Sequence, residues 1–412
     1  GPSLVVAPTS VCANWLDECH RFAPTLKPVL FGGGDRQSMI EEAGPFDLIV
    51  TSYGLMQQSI DHLQEKLWQT LILDEAQAIK NPVTKRSKAV ARLNADFKIA
   101  LTGTPVENHL GELWSLFNFL NPGLLGSLPS FNERFAGPIE LQQDQVAKQR
   151  LKRLVQPFML RRLKTQVLEE LPSRTEIVLH VEMSKEETAF YEAIRQKAVE
   201  QFTDDGVPDE KKRFQILAEI TRLRQACCNP NLIAPELNLP SAKQKVLLNI
   251  VGELLENRHK ALVFSQFVTH LALVRTVLDA KGISYQYLDG STPAKKRRVA
   301  VDAFQAGEGD LFLISLKAGG TGLNLTAADY VIHLDPWWNP AVEDQASDRA
   351  HRIGQQRPVT IYRLVTRATI EDKIVELHKH KRDLADNLLE GADSSARLTT
   401  EDILALLKDA QD

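Results

Sequence analysis

Four short segments carry side chains that could act on a phosphate ester. Residues 71–77 read L-I-L-D-E-A-Q, an apolar run from Thr70 that delivers Asp74 and Glu75 together at its end. In a nucleotide hydrolase the first carboxylate holds Mg²⁺ through water and the second polarises the attacking water. Residues 101–105 read L-T-G-T-P, and hydroxyls beside a glycine at a strand end can sense a phosphate or a neighbouring carboxylate. Residues 317–325 read K-A-G-G-T-G-L-N-L, whose glycines let the backbone approach a phosphate of nucleotide or DNA. Residues 345–355, Q-A-S-D-R-A-H-R-I-G-Q, set Arg349 and Arg352 three apart, so on a helix both project from one face toward one γ-phosphate. Arginine suits that task because its planar fork meets phosphate oxygens bidentately and stays charged. Each segment also has a bland reading: an acidic strand end, a turn, a glycine loop, or two surface ion-pairing arginines.

Chemistry of this kind needs strands to deliver the side chains to one edge. Short runs rich in Val, Ile and Leu occur at 3–7, 46–52, 67–73 and 97–102, each ending in polar or Gly-containing sequence. The pattern returns at 261–265, 285–288, 311–315, 330–334 and 360–365. Such runs suit buried parallel strands covered by helices on both faces, so an α/β chain with a sheet toward each end is expected. The middle, about 113–237, has helical periodicity at 187–202 and 214–227, with Pro and Gly breaks. One extended stretch, 174–183, interrupts it and reads as a connection between the two sheets. The tail is expected to be helical at 370–389 and 399–407, with Thr399 or Thr400 as N-cap.

At 412 residues the chain is too long for one ordinary core. Its 43% hydrophobic and 25% charged residues are those of a soluble globular protein, with no apolar run long enough to span a bilayer. The cysteines, Cys12, Cys19, Cys227 and Cys228, form no C-x-x-C pair, so they are expected to be reduced packing thiols and not a zinc site. The net charge of −4 argues against a nucleic-acid binder, but its distribution does not. Residues 148–164 hold seven Lys/Arg and no acid, and Lys295, Lys296, Arg297 and Arg298 form a second cluster. Solvated helix faces are the plain account of such runs.

The order D-E-A-Q, T-G-T-P, L-V-F-S-Q-F, K-A-G-G-T-G-L-N-L, D-P-W-W-N-P and Q-A-S-D-R-A-H-R-I-G-Q resembles motifs II to VI of the Swi/Snf family within helicase superfamily two. The opening L-V-V-A-P-T-S…N-W is similar to that family's motif Ia, as are I-K-N-P-V-T-K and the bridge L-R-R-L-K…L-P-S-R-T-E. The match runs from Leu4 to about Ile374, and each motif follows an expected strand. The resemblance implies two RecA-like lobes with helical inserts, a motor that uses ATP and Mg²⁺, and ATP-dependent translocation on double-stranded DNA. DNA-bound proteins or RNA polymerase are implied as further partners. A monomer is expected, without membrane, in the bacterial cytoplasm at the nucleoid or in a eukaryotic nucleus.

Carried over by position, Asp74 and Glu75 match the catalytic carboxylates, with Asp74 toward the metal, and Arg349 and Arg352 match the arginine fingers. Gln77, Thr102, Gly103, Gly320, Gly322 and Gln345 fall at nucleotide-binding positions. Thr9, Ser265, Gln266, Lys317 and Thr321 lie where the family contacts DNA phosphates, and Trp338 matches a tryptophan placed against the DNA. The expected divisions are lobe 1 over 1–122, inserts and interlobe strand over 123–172 and 173–237, lobe 2 over 238–369, and a tail over 370–412. The family's G-x-G-K-T loop, whose backbone and lysine hold the β- and γ-phosphates, is absent. The first lobe is therefore expected to be incomplete, the chain a fragment of a longer protein, and the fragment inactive alone. Two other readings stay open here: an RNA helicase with the same lobes, and a non-catalytic DNA- or protein-binding module.

Overall fold

The computed structural model describes residues 1–9, 11–32, 35–103, 109–160, 171–202, 209–319 and 323–377. The described residues up to 160 form one compact unit, and those from 171 form another.

The first unit is built on five parallel strands: β1 (Ser3–Ala7), β2 (Lys27–Leu30), β3 (Asp47–Ser52), β4 (Leu67–Leu73) and β5 (Asn94–Ala100). Their order is β2-β3-β1-β4-β5. Because alternate strand residues point to opposite faces, Leu4 and Val6 join one core with Ile49, Leu71 and Leu73. Val5 and Ala7 join another, with Leu48, Val50 and the helix Cys12–Phe22. A strand that fills both faces has no polar side, so it reads as a continuous apolar run. The strand β2 escapes that pattern. Its sequence KPVL is mostly exposed and holds a proline, as an edge strand can. At β5 the strand ends at Ala100, two residues before the expected end, which leaves Thr102 in the loop beyond.

The second unit has six parallel strands: β6 (Arg174–Val181), β7 (Ala261–Ser265), β8 (Tyr285–Leu288), β9 (Leu311–Ser315), β10 (Tyr330–His333) and β11 (Val359–Thr366). They run in the order β6-β11-β10-β7-β9-β8. Leu262, Phe264, Phe312 and Ile314 fill one face, while Val263, Leu313 and Ile332 fill the other. The stretch expected as a connection at 174–183 is thus the edge strand of this sheet, paired with β11 along its whole length. Two helices, Lys185–Phe202 and Asp209–Cys228, pack against each other and against Ile370 and Ile374. In the first unit, helices Leu110–Leu120 and Gln145–Val155 close a separate small core around Phe131 and Phe135. Helix continues at 370–377, and the rest of the expected tail lies outside the described residues.

All four cysteines are buried and free, and burial pushes the Cys12 thiol up to about 11, so these are packing thiols. Cys228, His270 and Asp335 have ligand atoms within 4.8 Å of one another. Asp335 already accepts from Ser265 and from the Gln266 backbone N–H, and the Arg224 guanidinium lies 3.9 Å away. Burial raises the Asp335 carboxyl above the ordinary range, and Arg224 and these hydrogen bonds act against that rise. No described helix is long and apolar enough to cross a membrane.

His270 is fully buried, and its Nδ1 has no hydrogen-bond partner among the described residues. Burial, with a smaller contribution from Lys243, lowers its pKa from the ordinary 6.5 to about 3. Between those values the unfolded chain binds more protons than the folded one, so this stability is lost as pH falls below 6.5. His270→Leu should remove that dependence. Relative to the variant, the unsubstituted chain should lose about 2 kcal/mol between about pH 7 and 5 in urea unfolding. Equal losses in both proteins would show that the imidazole is not buried neutral.

Candidate nucleotide and DNA site

In a parallel sheet, ligands collect outside the carboxyl ends of the strands, where the chain reverses its direction of winding. In the first sheet that point lies between β1 and β4. Thr9, exposed, follows β1, and Asp74 and Glu75 follow β4. Three groups hold Asp74. The Trp15 indole N–H donates to Oδ2 at 2.8 Å, the Glu75 backbone N–H donates to Oδ1 at 2.9 Å, and the Tyr53 hydroxyl donates to the Asp74 carbonyl at 2.8 Å. Trp15 lies on the helix that follows β1, so the winding of the sheet brings it over β4.

Glu75 sits in the left-handed region at φ 50°, ψ 53°, conformational space that costs a glutamate about 1–3 kcal/mol. The flanking Ala76 N–H donates to the Leu101 carbonyl at 2.9 Å, which pins the turn against the end of β5. The Gln77 amide donates to Glu75 Oε2 at 2.7 Å and accepts from the Thr102 hydroxyl at 2.9 Å. Residues 102, 77 and 75 therefore form one hydrogen-bonded chain. A pocket of about 370 Å³ opens here, lined by Asp74, Glu75, Thr102 and Gly103. Two half-buried carboxylates with an open side fit Mg²⁺, which takes hard oxygen ligands and keeps several waters. Gly103 adds an exposed, side-chain-free edge.

In the second sheet the reversal lies between β7 and β10, and there the loops carry Ser265, Gln266 and Trp338. Ser265 is buried, and its hydroxyl donates to Asp335 Oδ1 at 2.5 Å. That bond ties the end of β7 to the loop after β10. Gln266 is half-buried beside it, and Lys317 is exposed beyond β9. Trp338 packs over the buried Arg224 at 5.4 Å, with Trp337 and Phe267 at 5.6 and 5.7 Å. Arg224 also donates to the Pro336 carbonyl at 2.5 Å, so a helical-insert residue shapes the W-W loop. Gly320, Thr321 and Gly322 lie outside the described residues.

The two motif arginines do not lie on a helix as expected. The helix Pro340–Ser347 carries the half-buried Gln345 and ends before them, so Arg349 and Arg352 follow in turns. Arg349 is buried, whereas Arg352 is half-buried. The Arg349 carbonyl accepts from the Leu325 N–H at 3.0 Å, which joins this turn to the end of the glycine loop. Sequence reasoning gave no role to Trp15, Arg224 or Asp335. The signal for Trp15 and Arg224 is general: a buried indole N–H or guanidinium needs a partner.

The chain matches the SNF2-related domain over residues 1–232 and the helicase conserved C-terminal domain over 242–354. It is 38% identical over 98% of its length to a putative ATP-dependent helicase/translocase, YwqA, of Bacillus subtilis, covering 45% of that protein. It is 35% identical over 99% of its length to the human SWI/SNF-related matrix-associated actin-dependent regulator of chromatin subfamily A member 1, covering 41% of it. A solved Sulfolobus solfataricus SWI2/SNF2 ATPase core in complex with dsDNA is 35% identical, with a TM-score of 0.47, over 99% of this chain and 84% of that one. The chain thus spans less than half the length of these curated relatives. With its two parallel sheets and the motifs at their carboxyl edges, it belongs to the SNF2 family of helicase-type ATPases, whose core is a pair of RecA-like lobes.

Proposed function

We propose that this chain is the motor core of a double-stranded-DNA-dependent ATPase that moves along duplex DNA and remodels protein–DNA complexes. The observation that carries this reading is the carboxylate pair after β4, with Glu75 tied through Gln77 to Thr102. Relatives named as ATP-dependent helicases and chromatin-remodelling ATPases support it. Asp74 would hold Mg²⁺, which when bound neutralises the triphosphate and orients it. Glu75 would polarise the attacking water and take its proton. Arg349 and Arg352 would receive the charge that develops on the γ-phosphate, with Gly320, Gly322 and Gln345 beside the nucleotide.

No Gly-Lys pair occurs anywhere in the chain, so the lysine cradle that holds β- and γ-phosphates has no candidate in it. This chain by itself is therefore proposed to bind duplex DNA without hydrolysing ATP. Thr9, Ser265, Gln266, Lys317, Thr321 and Trp338 are the proposed DNA-contacting positions, and Lys295 and Lys296 add exposed charge on the helix Ala294–Gln305. On the same helix Arg297 turns partly inward and donates to the Asp289 carbonyl at 3.3 Å, whereas Arg298 is exposed and pairs with Asp302 at 3.8 Å.

Fluorescence anisotropy with labelled duplex DNA tests this. If about four phosphates are contacted, affinity should fall about 10²-fold between roughly 50 and 200 mM salt, because contacts release counterions. Lys295→Glu with Lys296→Glu should weaken binding about equally for unrelated sequences, since phosphate contacts carry no base information. Salt-independent affinity would contradict a phosphate-contacting motor. A clear preference for duplex RNA would move the reading to an RNA helicase.

A further inference from the structure

The turn that bears Arg349 and Arg352 lies beyond the end of its own helix, so its position must be set from outside. One set of restraints comes from within the same region. Leu325 N–H donates to the Arg349 carbonyl at 3.0 Å, and the Gln355 amide donates to the Ala350 and Ala328 carbonyls at 3.0 and 2.8 Å. The other set comes from the start of β6, some 170 residues earlier in the chain. There the Arg174 guanidinium donates to Asp344 at 3.1 Å and to Asp348 at 3.2 Å, bridging carboxylates one turn apart at the end of the helix Pro340–Ser347. A second contact follows just past it, where His351 Nε2–H donates to the Pro172 carbonyl at 2.9 Å.

Arg174 is itself braced. It also pairs with Glu176, which accepts from Arg363, and Arg363 holds Glu343 at 2.7 Å and Asp344 at 3.2 Å. The helix and the turn after it are thus gripped from β6 and β11 together. Partly exposed ion pairs such as those of Arg174 contribute little to overall stability. What the rigid fork of an arginine does supply is direction, and a lysine cannot reproduce it.

We propose that Arg174, together with His351, is a positioning latch: it ties the strand by which the chain enters the second unit to the turn that presents Arg349 and Arg352. The inference rests on the reading of those two arginines as phosphate-binding. The latch makes the site of γ-phosphate contact depend on how the chain leading into β6 is held. The segment L-P-S-R in the sequence thereby acquires a reason: the Pro172 carbonyl and the Arg174 side chain both face the arginine-bearing turn.

Two measurements test it. In this chain, Arg174→Ala should speed amide hydrogen exchange across residues 348–354, while β7, β9 and β10 keep their protection and the melting temperature hardly moves. In a longer protein with a phosphate-binding loop, the same change should lower kcat by about 10 to 10²-fold, the scale of a displaced catalytic group, with duplex affinity unchanged. Arg174→Lys should recover only part of the loss. Because the latch acts through the arginines, Arg174→Ala added to Arg352→Ala should cost no more than Arg352→Ala alone. Unchanged exchange across 348–354, or fully additive losses, would overturn the latch. Should Arg352→Ala itself leave turnover intact, the phosphate-binding reading fails, and faster exchange in Arg174→Ala would still establish the positional tie.

Discussion

In a longer protein that carries a phosphate-binding loop, Arg352→Ala is expected to lower kcat by about 10³, the range for arginine fingers. Duplex affinity without nucleotide and the melting temperature should stay close to those of the unsubstituted protein. The structure separates the two arginines for this purpose. Arg352 is half-buried in a turn, so its truncation opens no core. Arg349 is buried, and Arg349→Ala is expected to lower stability as well as turnover. If the pair only held the end of the helix Pro340–Ser347 in place, Arg352→Ala would lower stability and leave turnover per folded molecule nearly intact. Measuring kcat, DNA affinity and melting temperature on one variant distinguishes the cases. Near-normal DNA-stimulated turnover in a folded Arg352→Ala protein would remove the arginine from the reaction.

Glu75→Gln in the same longer protein should cut kcat by about 10² to 10⁴, the usual contribution of a positioned general base. The amide is nearly isosteric and keeps the left-handed backbone, so folding should be unaffected. In the present chain neither form should hydrolyse ATP above background, with or without duplex DNA. Turnover by this chain that is abolished in Glu75→Gln would disprove its dependence on an outside phosphate loop. Turnover that survives Glu75→Gln in the longer protein would instead disprove the role of the carboxylate.

Much of this architecture is written locally. The strands β1, β7 and β9 are nearly unbroken apolar runs because both of their faces are buried, while β4 becomes an apolar run only after the exposed Leu67 and Gln69. The polar residues just after β4 and β5 fall at the carboxyl edge, where Asp74, Glu75 and Thr102 stand. One strand escaped, the edge β2, which holds Pro28 and is largely exposed. β6, legible as an extended stretch, alternates in character because one of its faces is left largely exposed.

The sequence by itself thus determined the α/β class, the two sheets, the order of the motifs and the family to which they belong. Only the tertiary structure decided how the functional side chains are held. The Trp15 indole meets Asp74 across 59 residues, and Arg174 meets Asp348 across 174. It also ended the motif helix at Ser347 and turned the Ser265 hydroxyl inward to Asp335. Apolar periodicity records which residues leave water, and burial is a property each residue carries in its own neighbourhood of the chain. A hydrogen bond depends on the direction of two groups brought together by winding, and nothing in the local sequence of either group encodes that direction.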